Sequence, residues 1–137
     1  MKKTHIYRWL SRIYYKIFVM ATERRFQGKE KYIFRKKSAT DILVIMFSGF
    51  PGNEKAKYNY MRTIHSVMCN QLFILDDFGY QKKGSYYLAE AGDDYVERLT
   101  LELINKICKE NNIKHIITAG SSKGGGMCNI LWIKNTC

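Results

Sequence analysis

The sequence predicts an α/β domain built on a parallel sheet with flanking helices. Three short apolar runs have the length and composition of strands that are buried on both faces. They lie at residues 42–47, 72–76 and 115–119, and segments with apolar residues at helical spacing follow them at 56–69, 93–111 and 123–133. Three strand-then-helix units in succession are typical of a parallel sheet, because parallel strands need long crossover connections.

The composition narrows the class of protein. A chain of 137 residues with 46% hydrophobic and 14% aromatic residues is expected to form one globular domain. Its four cysteines are widely spaced and include no C-x-x-C pair, so we expect no zinc site and no disulfide framework. Free thiols favour a reducing compartment, and the sequence predicts no cofactor.

The net charge of +11 is concentrated at the N-terminus. Residues 1–37 carry twelve Lys or Arg against two Asp or Glu, whereas the remaining residues carry eleven against ten. Any contact with a polyanion or a membrane is therefore expected in the N-terminal segment. Because the rest of the chain is almost neutral, nucleic-acid binding is the least expected function.

Residues 5–19 have the pattern of a basic amphipathic helix. Its apolar positions are Ile6, Trp9, Leu10, Ile13, Tyr14, Ile17 and Phe18, and its basic positions are Arg8, Arg12 and Lys16. The favoured interpretation is a helix that covers the domain with its apolar stripe, so that Trp9→Ala destabilises the fold by a few kcal/mol. The alternative is a helix that lies on an anionic membrane surface.

This N-terminal segment, residues 1–30, is expected to precede a partial domain at 31–137 that starts with a short strand at 31–35. Charges interrupt its apolar stretch and no small-residue cleavage site follows, so it is not a signal peptide, and no run is long enough to span a bilayer. We expect a cytoplasmic protein, with peripheral membrane contact as the alternative.

Loops rich in small residues follow the predicted core strands. The first strand is followed by residues 48–52, which hold the only proline of the chain, and the second by an acidic, aromatic loop that reaches Gly92. If the third strand lies on the other side of the first, these two strands flank a topological switch point, where ligands bind in open α/β sheets. The loops at 48–52 and 120–125 then meet at one edge.

Residues 120–124, Gly-Ser-Ser-Lys-Gly, fit the G-x-S-x-G pattern of a nucleophile elbow. A strand precedes the motif and a helix follows it, as an exposed serine on a sharp turn requires. Two other interpretations stay open: Ser122 is only an N-cap, or the turn binds an anion at the helix N-terminus. The pattern is not a Walker A loop, since Lys123 precedes the last glycines.

The combination of SGF, YNYMRT, LFILDDFG, GSYYL and AGSSKGG resembles the XcbB/CpsF-type capsular polysaccharide biosynthesis proteins. Those are relatives of the accessory Sec proteins that share the α/β-hydrolase fold, and the resemblance covers about residues 30–133. It implies the first half of a hydrolase fold with Ser122 as the nucleophile. It also implies oxyanion donors at the backbone N–H groups of Lys123 and Phe50, where Ser48 replaces the usual histidine of the loop.

The acid and histidine of a hydrolase triad are expected later in a chain, after the serine. The three histidines here, His5, His65 and His115, are expected to be surface or packing residues. At about 3.3 Å per strand residue, His115 lies near the opposite edge of the sheet from Ser122. We therefore expect a chain truncated after its elbow.

Three functions remain open. The first is a serine-dependent acyl hydrolase or O-acyltransferase of the capsule or glycan pathway, with an acyl or glycan substrate, active in a longer form. The second is a non-catalytic hydrolase-fold partner in a polysaccharide or secretion assembly. The third is a nucleic-acid or membrane-binding protein, in which the basic N-terminus makes the contact.

Overall fold

The computed structural model describes residues 2–37, 40–82, 84–85, 94–122 and 124–125. In chain order its elements are α1 (Lys2–Thr22), β1 (Arg24–Phe26), β2 (Glu30–Arg35), β3 (Ile42–Phe47), β4 (Asn70–Leu75), α2 (Tyr95–Asn111) and β5 (His115–Gly120). A 3₁₀ turn, Tyr80–Lys82, lies in the loop after β4.

The five strands form one mixed sheet in the order β1-β2-β4-β3-β5. β3 lies between β4 and β5 and is parallel to both, so the predicted arrangement of the three core strands is confirmed. β2 runs antiparallel to β4, and β1 runs antiparallel to β2. The prediction of a parallel sheet is therefore correct for the three core strands and wrong for this edge.

The antiparallel edge is a hairpin that the sequence analysis missed in part. Gln27 and Gly28 both have positive φ, 49° and 73°, and the N–H of Lys29 donates to the carbonyl of Phe26 at 3.0 Å. Two consecutive left-handed residues form a type I′ turn, whose twist suits a hairpin. The Gln-Gly pair between two basic, aromatic stretches is the sequence signal for β1.

Helix α2 covers one face of the sheet. Its buried apolar residues pack against alternate residues of β3, β4 and β2. From the helix these are Val96, Leu103, Ile104, Ile107 and Cys108, and from the strands Leu43, Ile45, Phe47, Leu72, Ile74 and Tyr32. The prediction of a helix at 93–111 is confirmed from Tyr95 to Asn111, and it ends at Asn112, which takes a left-handed conformation with φ 51°.

The other face of the sheet is covered by α1 together with residues 56–64. Tyr15, Phe18 and Val19 are half-buried against the alternate set of strand residues, among them Val44 and Phe73. The predicted helix at 5–19 is confirmed and extends from Lys2 to Thr22.

Most of the predicted apolar stripe of α1 lies off its packing face. Trp9 is 62% exposed and Ile17 is 61% exposed, although the sequence analysis favoured both as buried residues. Tyr15 and Val19 are each two residues from Ile17, which is about 200° around a helix with 3.6 residues per turn. The helix therefore packs mainly through the side opposite to Trp9 and Ile17, and Phe18, at the edge of the predicted stripe, contributes to this packing.

The predicted crossover helix at 56–69 is wrong. The segment consists of irregular chain and turns, and side chains bind backbone groups that a helix would pair internally. The hydroxyl of Tyr15 bonds both the N–H and the carbonyl of Tyr58. The amide of Gln71 donates to the carbonyls of Ile64 and Val67.

The predicted helix at 123–133 lies largely outside the described residues. Gly124 and Gly125 are described, and both are helical.

Candidate active site

Two loops leave the carboxyl edge of the sheet side by side. β3 ends at Phe47 and β5 ends at Gly120, and these two residues are directly paired in register. The loop that starts at Ser48 and the turn that starts at Ser121 therefore begin on neighbouring strands. Because β4 lies on the far side of β3, this is the point at which the strand order reverses and at which open α/β sheets bind ligands.

The turn after β5 has the geometry of a sharp strand-to-helix connection. Ser122 has φ 55°, a left-handed conformation that costs a non-glycine residue of the order of 1 kcal/mol, and its side chain is exposed. Two short-range bonds close the turn: Gly124 N–H donates to the carbonyl of Ser121 and Gly125 N–H to that of Ser122, each at 3.0 Å. A strained, exposed serine in this position is what a nucleophile elbow requires.

The glycines on either side of Ser122 allow a backbone approach that no side chain permits. A Cβ added to Gly120 would lie 2.6 Å from the carbonyl carbon of Gly124, and one added to Gly124 would lie 2.8 Å from the carbonyl oxygen of Phe47. The backbone of Gly124 therefore lies directly against the ends of β3 and β5. The G-x-S-x-G spacing is explained by these contacts.

The loop after β3 contacts the elbow at Gly49. A Cβ at this position would lie 3.0 Å from Ser121 Oγ and 3.0 Å from the side-chain amide of Asn59. That amide, oriented to satisfy both partners, accepts from the N–H of Gly49 at 3.2 Å and donates to the carbonyl of Lys57 at 3.0 Å. The crossover segment thus holds the loop against the elbow, a role for Asn59 that the sequence analysis missed.

A third loop is tied to the same edge through Asp76, directly after β4. The N–H of Asp76 donates to the hydroxyl of Ser48 at 3.0 Å, which joins the loops after β3 and β4. Its buried carboxylate accepts from the N–H of Ser85 with both oxygens at 3.0 Å. The sequence placed Asp76 in a strand, and the structure makes it the anchor of the loop that follows.

The predicted site residues are placed as follows. Ser122 lies at the elbow and Phe50, which is 47% exposed, lies in the loop after β3, so both are at the carboxyl edge. Lys123 lies outside the described residues.

The histidines do not approach the elbow. His115 is the first residue of β5 and pairs with Ile42, at the opposite end of the strand from Ser122. His65 is exposed in the crossover segment, and His5 lies in the first half of α1. The described part of the chain therefore brings no histidine to the serine.

A groove of about 880 Å³ runs between α1 and the crossover segment, but neither Ser122 nor Phe50 lines it. Among the described residues no group of three His, Cys, Asp or Glu side chains is arranged to hold a metal ion.

Solved structures provide the comparison. The chain is similar to the capsule O-acetyltransferase of Neisseria meningitidis serogroup A in complex with caged gadolinium, with 26% identity and a TM-score of 0.68 over 83% of this chain and 47% of that chain. A histidine-to-alanine variant of that enzyme in complex with CoA matches with 26% identity and a TM-score of 0.68, over 83% of this chain and 46% of that chain. A third structure of the enzyme matches with 27% identity and a TM-score of 0.65, over 82% and 46%.

This similarity relates the chain to a capsular polysaccharide acetyltransferase, and the chain spans about half the length of those structures. No protein-family model and no curated protein sequence matches the chain.

Proposed function

We propose that this chain carries the nucleophile half of a serine-dependent O-acyltransferase of capsular polysaccharide biosynthesis, within an α/β-hydrolase fold of the XcbB/CpsF type. The observation that carries the proposal is Ser122, exposed at φ 55° on a glycine-lined turn beside the loop after the central strand. The similarity to a capsule O-acetyltransferase supports acyl transfer to a glycan as the reaction class.

The proposed reaction has two steps. Ser122 Oγ attacks the carbonyl carbon of an acyl thioester, its proton passes to a base, and the sulfur leaves as the thiol after taking a proton. A hydroxyl of the glycan then attacks the acyl-serine, gives up its proton, and releases Ser122 with its hydroxyl restored. A thioester of CoA is the proposed donor, since a related enzyme binds CoA.

The negative charge on the attacked carbonyl oxygen needs donors near Ser122. We assign the backbone N–H groups of Phe50 and Lys123 to this role, because they follow the ends of two paired strands and Gly49 already contacts Ser121. A preorganised donor of this kind contributes about 3–4 kcal/mol to transition-state stabilisation.

The base is proposed to come from residues beyond this chain. Both described histidine side chains lie away from the elbow, and the related acetyltransferases are about twice as long. A serine hydroxyl without a base is a weak nucleophile at neutral pH. The distance of the described histidines from Ser122 also supports the second candidate, a non-catalytic hydrolase-fold partner in a polysaccharide assembly.

Serine variants of a longer form test the proposal. We expect transfer of acetyl groups from acetyl-CoA to capsular polysaccharide, and hydrolysis of p-nitrophenyl acetate, by a form extended to the length of the acetyltransferases. Ser122→Ala should reduce either rate by at least about a thousandfold, as the loss of an essential nucleophile does. Ser121→Ala is the matched control, because it changes the neighbouring hydroxyl of the same turn and should retain most activity.

The 137-residue chain alone should show little turnover. Turnover of the long form that survives Ser122→Ala would exclude the serine from the mechanism. An inactive long form that still binds CoA or polysaccharide would favour the non-catalytic partner. Serine-dependent turnover by the short form would assign the base to His65 or His115.

A further inference from the structure

The outer face of α1 is a largely exposed apolar surface in the described structure, although Trp9 and Ile13 also line the groove beside the crossover segment. The spacing of three, four and seven residues places Ile6, Leu10, Ile13 and Ile17 along one side of the helix. Ile6, Leu10 and Ile17 are 57%, 49% and 61% exposed, and Ile13 is half-buried. Trp9, Tyr14 and Met20 widen this side and are 62%, 69% and 84% exposed. A contiguous exposed apolar face of this length indicates an interaction site.

All the charged side chains of the same helix are basic. α1 contains five Lys or Arg and no Asp or Glu. Arg8, Arg12 and Lys16 are exposed and follow one another at intervals of four residues, so they form a row that begins beside the packing side and reaches the border of the apolar face at Lys16, next to Trp9. A surface that offers both apolar contact and negative charge complements such a helix.

We propose that α1 docks this chain on an anionic lipid surface. Aliphatic residues enter the boundary between headgroups and acyl chains, Trp9 and Tyr14 lie at headgroup level, and the basic row contacts the anionic headgroups. The helix lies along the surface, as amphipathic basic helices do. No helix among the described residues has the length and apolar character to cross a bilayer. The docking does not depend on the acyltransferase function.

The packing of α1 supports this orientation. Tyr15, Phe18 and Val19 hold the helix on the sheet, and the hydroxyl of Tyr15 bonds the backbone of Tyr58. The apolar face is therefore directed outward by the fold and is preformed before any lipid is present. Binding then costs little ordering of the helix, which favours affinity.

Vesicle binding tests the proposal on the full chain. We expect co-sedimentation with vesicles of phosphatidylcholine containing 30% phosphatidylglycerol (about one anionic headgroup in three), weak binding to pure phosphatidylcholine, and loss of binding at about 0.5 M salt because charge attraction is screened. Trp132→Phe leaves Trp9 as the single tryptophan of the chain. In this variant the fluorescence emission of Trp9 should shift to shorter wavelength on binding to the anionic vesicles.

Two variants test separately the basic residues and the apolar residues of this surface. Arg8→Glu should weaken binding about 10- to 30-fold, since each basic residue near the surface contributes about a fivefold effect and the reversal also adds a repelled charge. Ile17→Ser should weaken it about tenfold or more through the loss of apolar contact. Both side chains are exposed, so both variants should unfold at the same temperature as the parent.

Lys109→Glu is the control for Arg8→Glu, because Lys109 is exposed on α2, on the other side of the sheet, and the charge change is equal. It should change binding by less than about twofold. If Arg8→Glu and Lys109→Glu weaken vesicle binding equally, only the net charge of the chain matters, and the proposal would be overturned. So would failure of the parent chain to bind anionic vesicles. A dimer in sedimentation experiments that Ile17→Ser dissociates, without vesicle binding, would make a second copy the occupant of the face.

Discussion

The two faces of the sheet are covered in different ways. On one face α2 buries Leu103 completely and packs its whole inner side against the strands. On the other face α1, although longer, contributes three half-buried residues and shares the cover with an irregular segment. The difference teaches that apolar periodicity identifies a helix in both cases but not what the apolar side contacts.

The hydrogen bonds that attach the two helices also differ in how deeply they are buried. On the α2 face the hydroxyl of Thr100 donates to the fully buried carboxyl group of Glu30 at 2.5 Å. On the α1 face Tyr58 donates to Glu23 at 3.0 Å, and Tyr15 bonds the backbone of Tyr58. The polar contact on the first face is fully buried, whereas those on the second face are only partly buried.

A matched pair of leucines tests the contrast most strongly. Leu103→Ala removes a completely buried side chain and should lower the free energy of unfolding by about 3–5 kcal/mol. Leu10→Ala removes the same atoms from a side chain that is 49% exposed and should cost less than about 1 kcal/mol. Urea unfolding measures both. Equal costs would show that the two helices are packed alike.

The buried carboxyl group on the α2 face should make stability depend on pH. Burial raises the pKa of Glu30 to about 8, the charge of Asp76 adds to the rise, and the hydrogen bond from Thr100 opposes it. Between the ordinary pKa near 4.5 and about 8 the folded chain keeps a proton that the unfolded chain releases. The free energy of unfolding therefore falls as pH rises through this window.

Glu30→Gln should remove that dependence. The variant should be more stable than the parent by about 2–4 kcal/mol above pH 8, and the two should converge near pH 4.5. Glu110→Gln, on the exposed side of α2, is the control and should leave the pH profile of the parent unchanged. A parent whose stability is flat from pH 5 to 8 would contradict a protonated Glu30.

On the α1 face, Tyr15→Phe removes the hydroxyl that bonds both backbone groups of Tyr58, at 3.1 and 3.2 Å. It should lower the free energy of unfolding by about 1–2 kcal/mol, because partly buried backbone groups lose their partner. Tyr14→Phe removes a hydroxyl from a side chain that is 69% exposed and should have no measurable effect. If the two variants unfold alike, the hydroxyl of Tyr15 does not attach α1 to the crossover segment.

Hydropathy located the core strands well where every residue is apolar. Strand β3 has the predicted bounds because all six of its residues are apolar. Strand β4 starts two residues earlier than predicted, because Asn70 and Gln71 are buried and polar. The amide of Asn70 donates to the carbonyls of Thr40 and Ile42, and a contact of this kind cannot be read from a local pattern.

The candidate site was predictable in its parts but not in its assembly. The glycine spacing located the sharp turn at Ser122, since that turn requires small residues locally. The contact between Gly49, Ser121 and Asn59 depends on the path of the crossover segment, which was predicted as a helix. Tertiary hydrogen bonds overrode the helical pattern there, so the residue that positions the loop was missed.

The smallest expected effect is that of Trp9→Ala on stability. If the apolar stripe covered the domain, this change would cost a few kcal/mol, as for any large core residue. Trp9 is 62% exposed, so most of its surface is already in water and its loss should change the free energy of unfolding by at most about 1 kcal/mol. The same variant should bind anionic vesicles more weakly than the parent. A large loss of stability would show that protein covers this face, and it would contradict both the packing of α1 and its proposed role on a lipid surface.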